Sequence, residues 1–439
     1  MKSLFRTAVL ILLMTPATVA YSQTIQIKLG TVAPADSPWY EVLNRMGQEW
    51  KRASKGTVNV VIYPNVLGDE SEMLRKVRLG QIQGVGLSGV GLATIAPGVG
   101  ALQLPMLVDS FDDLDRVRTG LESRLEADLE KDGFKVVNWS EVGWVHFFTK
   151  EKAKTPDDLK KLRLFITKDD PESEKLYRDL GFRPVPLDVT DLLTSLKTGL
   201  IDAFDVPPLL ALSNQSFGAA THMINVKWAP LIGATIIDRK TWDRIPRGLQ
   251  DELERIAKAS GAELRSKIRA SGDQAIAKMK QYGLTVETLT AAEMDQWRAM
   301  AKTAREKLRE RKLVPADYFD EAVLLSVDPV SGSWTGDWGP SSSSRRQVAI
   351  DLKWDGKAVT GTLHSVTPQR ADAPLQNATF NPSTGAVHFE VRLAGPIAGT
   401  TERHVIDGKL TNGSVAGSWI LDVPKRDVPK NDFKLTKKP

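Results

Sequence analysis

Polar residues that could bind a small molecule stand at the ends of two short apolar runs in the middle of the chain. The run from Leu162 to Ile166 is followed by Thr167 and Lys168, and a second run closes on Asp205. Amphipathic segments separate the runs, a pattern that predicts a mainly parallel sheet with helices packed on it. Ligands of such sheets bind outside the carboxyl ends of the strands. We therefore expect a binding site in this stretch.

The sequence does not favour catalysis or a cofactor. It has no cysteine, which excludes Cys-ligated metal or haem, and it has no GxSxG motif. Its five histidines are dispersed, and no HxxH or EF-hand spacing occurs. The Gly-rich segment 83–93 lacks the register and the lysine of a phosphate loop, so close backbone packing explains it better. A lone cation bridging a ligand and Asp205 stays open.

Length and composition predict an exported protein of two or three domains. The chain has 439 residues, 41% of them hydrophobic and 26% charged, as in globular proteins. Residues 1–22 have the charged start, apolar centre and small-residue end of a cleaved secretory signal. Removing its Lys2 and Arg6 lowers the net charge from +5 to +3. So small and dispersed a charge does not predict nucleic-acid binding. We expect a periplasmic protein.

Strand and helix patterns alternate through the first part of the chain. Thr24 to Thr31 and Thr57 to Tyr63 read as strands, and Trp39 to Ser54 and Asp69 to Leu79 read as helices. This order is the opening of a doubly wound α/β domain. Strong helical periodicity returns between residues 247 and 311.

The composition changes at Ser326, and helical patterns stop from Val330 onward. Short alternating segments follow, separated by hairpin signals such as Asp355-Gly356 and Asn412-Gly413. Residues 330–439 are therefore predicted to form a separate antiparallel all-β domain, a sandwich or a small barrel. Its tryptophans either fill the core, which we favour, or form a carbohydrate or lipid surface. The domains expected are thus 1–22, 23–325 and 330–439.

Several segments of residues 25–325 together resemble a known family. They are Ile27 to Gly30 with Pro38-Trp39, Tyr63 to Glu70, Leu104-Pro105, Thr155 to Leu164, Leu196 to Asp202, and Trp242 with Pro246. In this order and spacing they resemble the DctP-type solute-binding proteins of tripartite ATP-independent periplasmic (TRAP) transporters. The resemblance implies an α/β two-lobe periplasmic-binding-protein-like fold that closes on one small organic solute. It also implies the membrane subunits of a TRAP permease as partners.

The chain departs from the family pattern at residues that the resemblance would place on the ligand. Phe165 stands where the family has an arginine that clamps a carboxylate, and Val145 stands where it has a second arginine. Val206 replaces an asparagine, and Ser88 falls at a position that is acidic in some members. A carboxylate bound without its arginine would be desolvated and unpaired. We therefore expect a ligand other than a classical dicarboxylate.

The ligand contacts that we predict are mostly aromatic or sparsely polar. They are Trp39, Ser88, Trp144, His146, Phe165, Thr167, Lys168, Asp205 and Trp228. Such a lining suits a larger, flatter or less charged solute. The alternative function is an envelope sensing or adhesion protein, whose lobes would gate a partner and whose β domain, of unknown partner, would bind surface material.

Overall fold

The computed structural model describes residues 24–438 except 169, 342, 366–371, 395–399 and 423–429. The predicted signal at 1–22 lies outside these described residues. Among them, no helix is long and apolar enough to cross a membrane.

The described residues before Val327 contain eleven strands and twelve α-helices. The strands are β1 (Ile25–Thr31), β2 (Val58–Pro64), β3 (Gly84–Ser88), β4 (Phe134–Trp144), β5 (His146–Thr149), β6 (Arg163–Thr167), β7 (Arg183–Leu187), β8 (Ala203–Val206), β9 (His222–Ile224), β10 (Pro230–Asp238) and β11 (Thr285–Glu287). The helices are α1 (Pro38–Ala53), α2 (Glu70–Arg78), α3 (Gly89–Ala93), α4 (Phe111–Lys131), α5 (Pro156–Leu159), α6 (Pro171–Asp179), α7 (Leu192–Thr198), α8 (Pro208–Ser213), α9 (Arg239–Asp243), α10 (Arg247–Gln281), α11 (Ala291–Glu310) and α12 (Ala316–Ser326).

These strands form two sheets, one in each lobe. The sheet of lobe 1 has the order β2-β1-β3-β10-β4, and the sheet of lobe 2 has the order β11-β9-β5-β8-β6-β7. β1 pairs in parallel with β2 and β3, whereas β10 runs antiparallel to both β3 and β4. The expectation of a mainly parallel sheet therefore holds only for part of each lobe. The chain crosses between the lobes and returns, so the strands that cross enter the sheets in the opposite direction.

Among the described residues, two crossing strands, the helix α10 and the link from α11 to α12 connect the two lobes. β4 continues through Val145 into β5, and the returning chain enters β10, where Val145 and Ala229 share a backbone hydrogen bond of 2.9 Å. The third connection is α10, whose 35 residues make it the longest helix. Its first half packs Leu253 against the core of lobe 1, and its last turns pack Met279 against lobe 2. Two adjacent strand crossings beside one helix form a hinge on which lobes can rotate.

The C-terminal part is a closed barrel of eight antiparallel strands, which decides between the two predicted β architectures. Its strands are β12 (Gly332–Ser341), β13 (Ser344–Trp354), β14 (Val359–Ser365), β15 (Asp372–Phe380), β16 (Ala386–Ala394), β17 (Thr401–Thr411), β18 (Ser414–Asp422) and β19 (Asn431–Lys437). Neighbours in sequence are neighbours in the barrel, and β19 pairs with β12 to close it. Trp334, Phe389 and Trp419 are fully buried inside. Large side chains therefore fill the interior, as an eight-stranded barrel allows.

The barrel rests on two helices of lobe 1. Leu121 of α4, Leu325 of α12 and Trp334 of the barrel belong to one continuous hydrophobic cluster. The turn at Gly356 comes so close to α4 that a Cβ at this glycine would lie 2.0 Å from the carbonyl oxygen of Arg116. The composition change at Ser326 thus marks a change of architecture, but the apolar core continues across it.

Candidate functional site: the cleft between the lobes

An ion pair joins the two lobes near the ends of two parallel strands, and the space between the lobes there is the candidate cleft. Ser88 ends β3 in lobe 1, and Thr167 ends β6 in lobe 2. The ammonium group of Lys168 lies 3.9 Å from the carboxylate of Asp69 in lobe 1 and 2.7 Å from that of Asp188. The Lys168–Asp69 pair places the end of β6 beside the start of α2, whose Glu70 contacts Ser88 at the end of β3.

On the lobe 1 side, a glutamate fixes the end of β3. The carboxylate of Glu70, at the start of α2, accepts hydrogen bonds from the backbone N–H of Ser88 at 2.6 Å and from the Ser88 hydroxyl at 2.8 Å. It also accepts one from the N–H of Gly91 at 3.1 Å. Glu70 was not among the predicted site residues. It supplies a carboxylate beside the position where Ser88 replaces an acidic residue.

On the lobe 2 side, a chain of buried polar groups ends at Asp205. The hydroxyl of Tyr177 on α6 donates a hydrogen bond of 3.1 Å to Oδ2 of Asp205, and the indole N–H of Trp228 donates to the same tyrosine oxygen. Burial raises the pKa of Asp205 to about 7, although the hydrogen bond from Tyr177 opposes this. Asp205 therefore changes its charge near neutral pH. Sequence reasoning missed Tyr177 because only folding brings α6 over the end of β8.

The predicted clamp position is apolar and enclosed. Phe165 is 5% exposed and packs in the cluster that contains Leu192 and Val206. Val145 is partly buried against the other core of lobe 2. Two residues that departed from the family pattern, Phe165 and Val206, thus belong to one buried apolar cluster.

The predicted aromatic contacts have different surroundings. Trp228 packs against Phe147 and Trp297, with ring centroids 5.6 and 5.9 Å away, and so belongs to the aromatic core of lobe 2. Trp39 is buried behind the hinge, where its indole N–H donates to the carbonyl oxygen of Glu141 at 3.0 Å. Both positions favour a structural contribution from the ring.

Trp144 and His146 flank the crossing strand. Trp144 packs on Phe111 with centroids 5.6 Å apart, and the ammonium of Lys227 lies 5.1 Å from its ring. In the described part of the chain, its buried indole nitrogen has no hydrogen-bond partner. His146 is 5% exposed, and burial lowers its pKa to about 4. His146 is therefore neutral at pH 7.

Comparisons with known proteins agree with this architecture. The sequence profile of the bacterial extracellular solute-binding proteins, family 7 (DctP), matches residues 29–312. The 2,3-diketo-L-gulonate-binding periplasmic protein YiaO of Escherichia coli is 28% identical over 247 residues, which cover 54% of this chain and 72% of YiaO. The C4-dicarboxylate-binding periplasmic protein DctP of Rhodobacter capsulatus is 24% identical over 303 residues, covering 66% of this chain and 89% of that protein.

Solved structures show the same two-lobe fold. A TRAP periplasmic solute-binding protein from Ralstonia eutropha with bound (S)-2-acetolactate superposes with a TM-score of 0.64 at 19% identity, covering 69% of this chain and 99% of that one. One from Haemophilus influenzae with bound L-gulonate gives 0.63 at 19% identity, covering 69% and 98%. The matched family accounts for more than half of the sequence, and its members are periplasmic binding proteins, not enzymes. This chain therefore belongs to family 7 of the bacterial extracellular solute-binding proteins, the DctP family.

Proposed function

We propose that this protein is the extracytoplasmic receptor of a TRAP-type transporter. It closes its two lobes on a small organic solute and presents the closed form to the membrane subunits. The observation that carries the proposal is the two-lobe architecture. Lys168 at the end of β6 pairs with Asp69 of the other lobe, and two crossing strands and α10 join the lobes as a hinge.

The solute is proposed to be a small organic acid or sugar acid that is not a classical dicarboxylate. The named relatives bind a C4-dicarboxylate and 2,3-diketo-L-gulonate. In this chain, however, the resemblance places Phe165 and Val145 at the positions of the clamp arginines, and Lys168 already contacts two carboxylates. Two solute carboxylates would each need a desolvated cation in the cleft, and leaving one unpaired costs several kcal/mol.

Hydroxyl or carbonyl groups of the solute suit the polar atoms that the cleft offers. When it is ionised, Asp205 accepts hydrogen bonds, and Tyr177 contacts only its Oδ2. The indole N–H of Trp144 is a donor that a solute oxygen could satisfy, and an unmet buried donor costs about 1–3 kcal/mol. Thr167 and Ser88 add hydroxyls at the ends of their strands. Few charges and several neutral polar groups favour a hydroxy acid or keto acid.

A thermal-shift screen of residues 23–439 tests the proposal. Succinate, L-gulonate, 2-acetolactate and neutral sugars are compared at equal concentrations. A solute at 100 times its Kd should stabilise the protein by about 2.7 kcal/mol. Asp205→Asn should weaken the binding of the best solute. Asp202→Asn should leave this binding unchanged, because Asp202 pairs with Arg163 at the start of β6.

Stabilisation by succinate above all hydroxy and keto acids would overturn the reading of Phe165. The sensing or adhesion alternative predicts a different result: none of these solutes stabilises the protein, and the intact protein sediments with cell-envelope fragments. Small-angle scattering with and without the best solute then measures whether the lobes close.

A further inference from the structure

One end of the barrel faces away from lobe 1 and carries an aromatic stack. Trp354, near the docked end, lies 5.8 Å from the guanidinium of Arg116 in α4. Trp338 lies toward the opposite end of β12 and stacks on Trp419, with ring centroids 4.5 Å apart and planes 8° from parallel. We call this opposite end the barrel rim and define it by Trp338, Arg346, Glu402, His404 and Trp419.

His404 is a buried polar group at the rim. It is 5% exposed, and its Nδ1 accepts a hydrogen bond of 3.0 Å from the indole N–H of Trp419. The ring proton is therefore on Nε2. Burial lowers the pKa of His404 to about 4, so the ring is a neutral donor at pH 7. Within the described residues no hydrogen bond from Nε2 is found, and Oε2 of Glu402 stands 3.9 Å away.

Arg346 brings a cation to the same side of the barrel wall. It lies directly opposite Trp338 in the β12–β13 register, so both side chains start on the interior face. Its guanidinium lies 5.5 Å from the centre of the Trp338 ring. By contrast, the adjacent Arg345 makes ion pairs with Asp337 and Asp432 on the outer face. Stacking on an indole holds a guanidinium plane while leaving its N–H edge available.

We propose that the barrel rim binds the carboxylate of a small organic acid between the guanidinium of Arg346 and the Nε2–H of His404. A guanidinium matches a carboxylate in plane and can donate two parallel hydrogen bonds to it. The imidazole supplies a fixed donor, and Trp338 holds the guanidinium in place. This site lies on the barrel and does not depend on a solute in the cleft.

Glu402 allows a test of whether the rim binds an anion. It faces Leu393 across the β16–β17 ladder and lies two residues before His404, so it shares the interior face. Its negative charge repels a bound carboxylate. Neutralising Glu402 should therefore strengthen anion binding, while removing the charge of Arg346 should weaken it.

The experiment titrates benzoate into residues 23–439 labelled with ¹⁵N on histidine, with benzamide as the neutral counterpart. Benzoate should shift the His404 ring signals, and benzamide should not. Arg346→Met should weaken benzoate binding at least about tenfold, the loss of a charged hydrogen bond. Glu402→Gln should tighten it. Arg392→Met removes an exposed arginine opposite Arg403 on the outer face and should change nothing.

Four results would overturn the proposal. Equal responses to benzoate and benzamide would show that the site does not recognise the carboxylate. Equal binding of chloride or sulfate would show a general anion effect. A weaker response in Glu402→Gln would show that the charge of Glu402 does not oppose the bound anion, contrary to the placement of the carboxylate beside it. Binding that shifts other signals but not those of His404 would place benzoate elsewhere and would also count against the rim.

Discussion

Arg116→Met tests whether the barrel and lobe 1 fold as one cooperative unit. Arg116 lies on α4 and is 4% exposed. Its guanidinium donates to the carbonyl oxygens of Leu325 at 2.7 Å and Ser326 at 2.8 Å, at the end of α12. It also pairs with Asp113 and, at 3.5 Å, with Asp328 in the connection to the barrel. One side chain thus ties α4, α12 and the linker together.

Methionine keeps much of the length and apolar volume of this side chain but removes every donor. The substitution removes the guanidinium donors from two carbonyl groups and two carboxylates. Breaking a buried ion pair in this way costs about 3–5 kcal/mol. At roughly 2–4 °C per kcal/mol for large domains, the melting temperature should fall by about 6–20 °C.

Urea unfolding followed by tryptophan fluorescence and by far-UV circular dichroism measures the effect. If the shared core joins the two parts, both signals should move together to lower urea. Arg124→Met is the matched control on the same helix. Its guanidinium is 42% exposed and pairs at the surface with Asp317 and Glu321, so its loss should cost only about 1 kcal/mol. Equal midpoints for the two variants, or an unchanged lobe transition beside an early barrel transition, would refute the reasoning.

Two further predictions concern the docking turn and the cleft. Gly356→Ala should destabilise the protein far more than Gly133→Ala in thermal unfolding. Both glycines have positive φ, but an added Cβ at Gly356 meets the Arg116 carbonyl while one at Gly133 meets open space; equal losses would leave backbone strain alone as the cause. The second prediction concerns Asp205, whose pKa is raised from 3.8 to about 7. The folded protein then holds a proton that the unfolded chain has lost, so this group makes stability fall as pH rises from about 4 to about 7. Asp205→Asn should remove that fall in urea titrations across this range, whereas Asp202→Asn should retain it; an unchanged slope in Asp205→Asn would contradict the assignment.

The site was partly visible in the sequence because strand ends are local features. The run that ends at Thr167 and the run that ends at Asp205 are readable from hydrophobicity, and both form strands, β6 and β8. Other partners of these residues come from distant segments. Tyr177 reaches Asp205 from a helix, and Glu70 reaches Ser88 from 18 residues earlier in the chain. No periodicity predicts such contacts, since they depend on how helices pack over the sheet.

For the aromatic residues, the sequence alone could not separate ligand contacts from core residues. Trp144 stands just before one crossing segment and Trp228 just before the other. As residue types, both are equally suited to line a pocket. Packing separates them: the Trp228 ring is enclosed by Phe147 and Trp297, while the indole nitrogen of Trp144 lacks a partner among the described residues. Side-chain type sets what a residue can contact, and only its neighbours in space decide what it does contact.

The sequence by itself determined the family, the alternation of strands and helices in the lobes, and the change to a β domain after Ser326. These follow from local periodicity, turn residues and ordered motifs, which need no long-range contact to be recognised. The tertiary structure alone decided that the sheets are mixed, that the β domain is a closed barrel, and that Arg116 and Gly356 fix it to lobe 1. Barrel closure and domain docking arise from pairing and packing between residues far apart in the chain, and their free energy resides in those contacts, not in any segment alone.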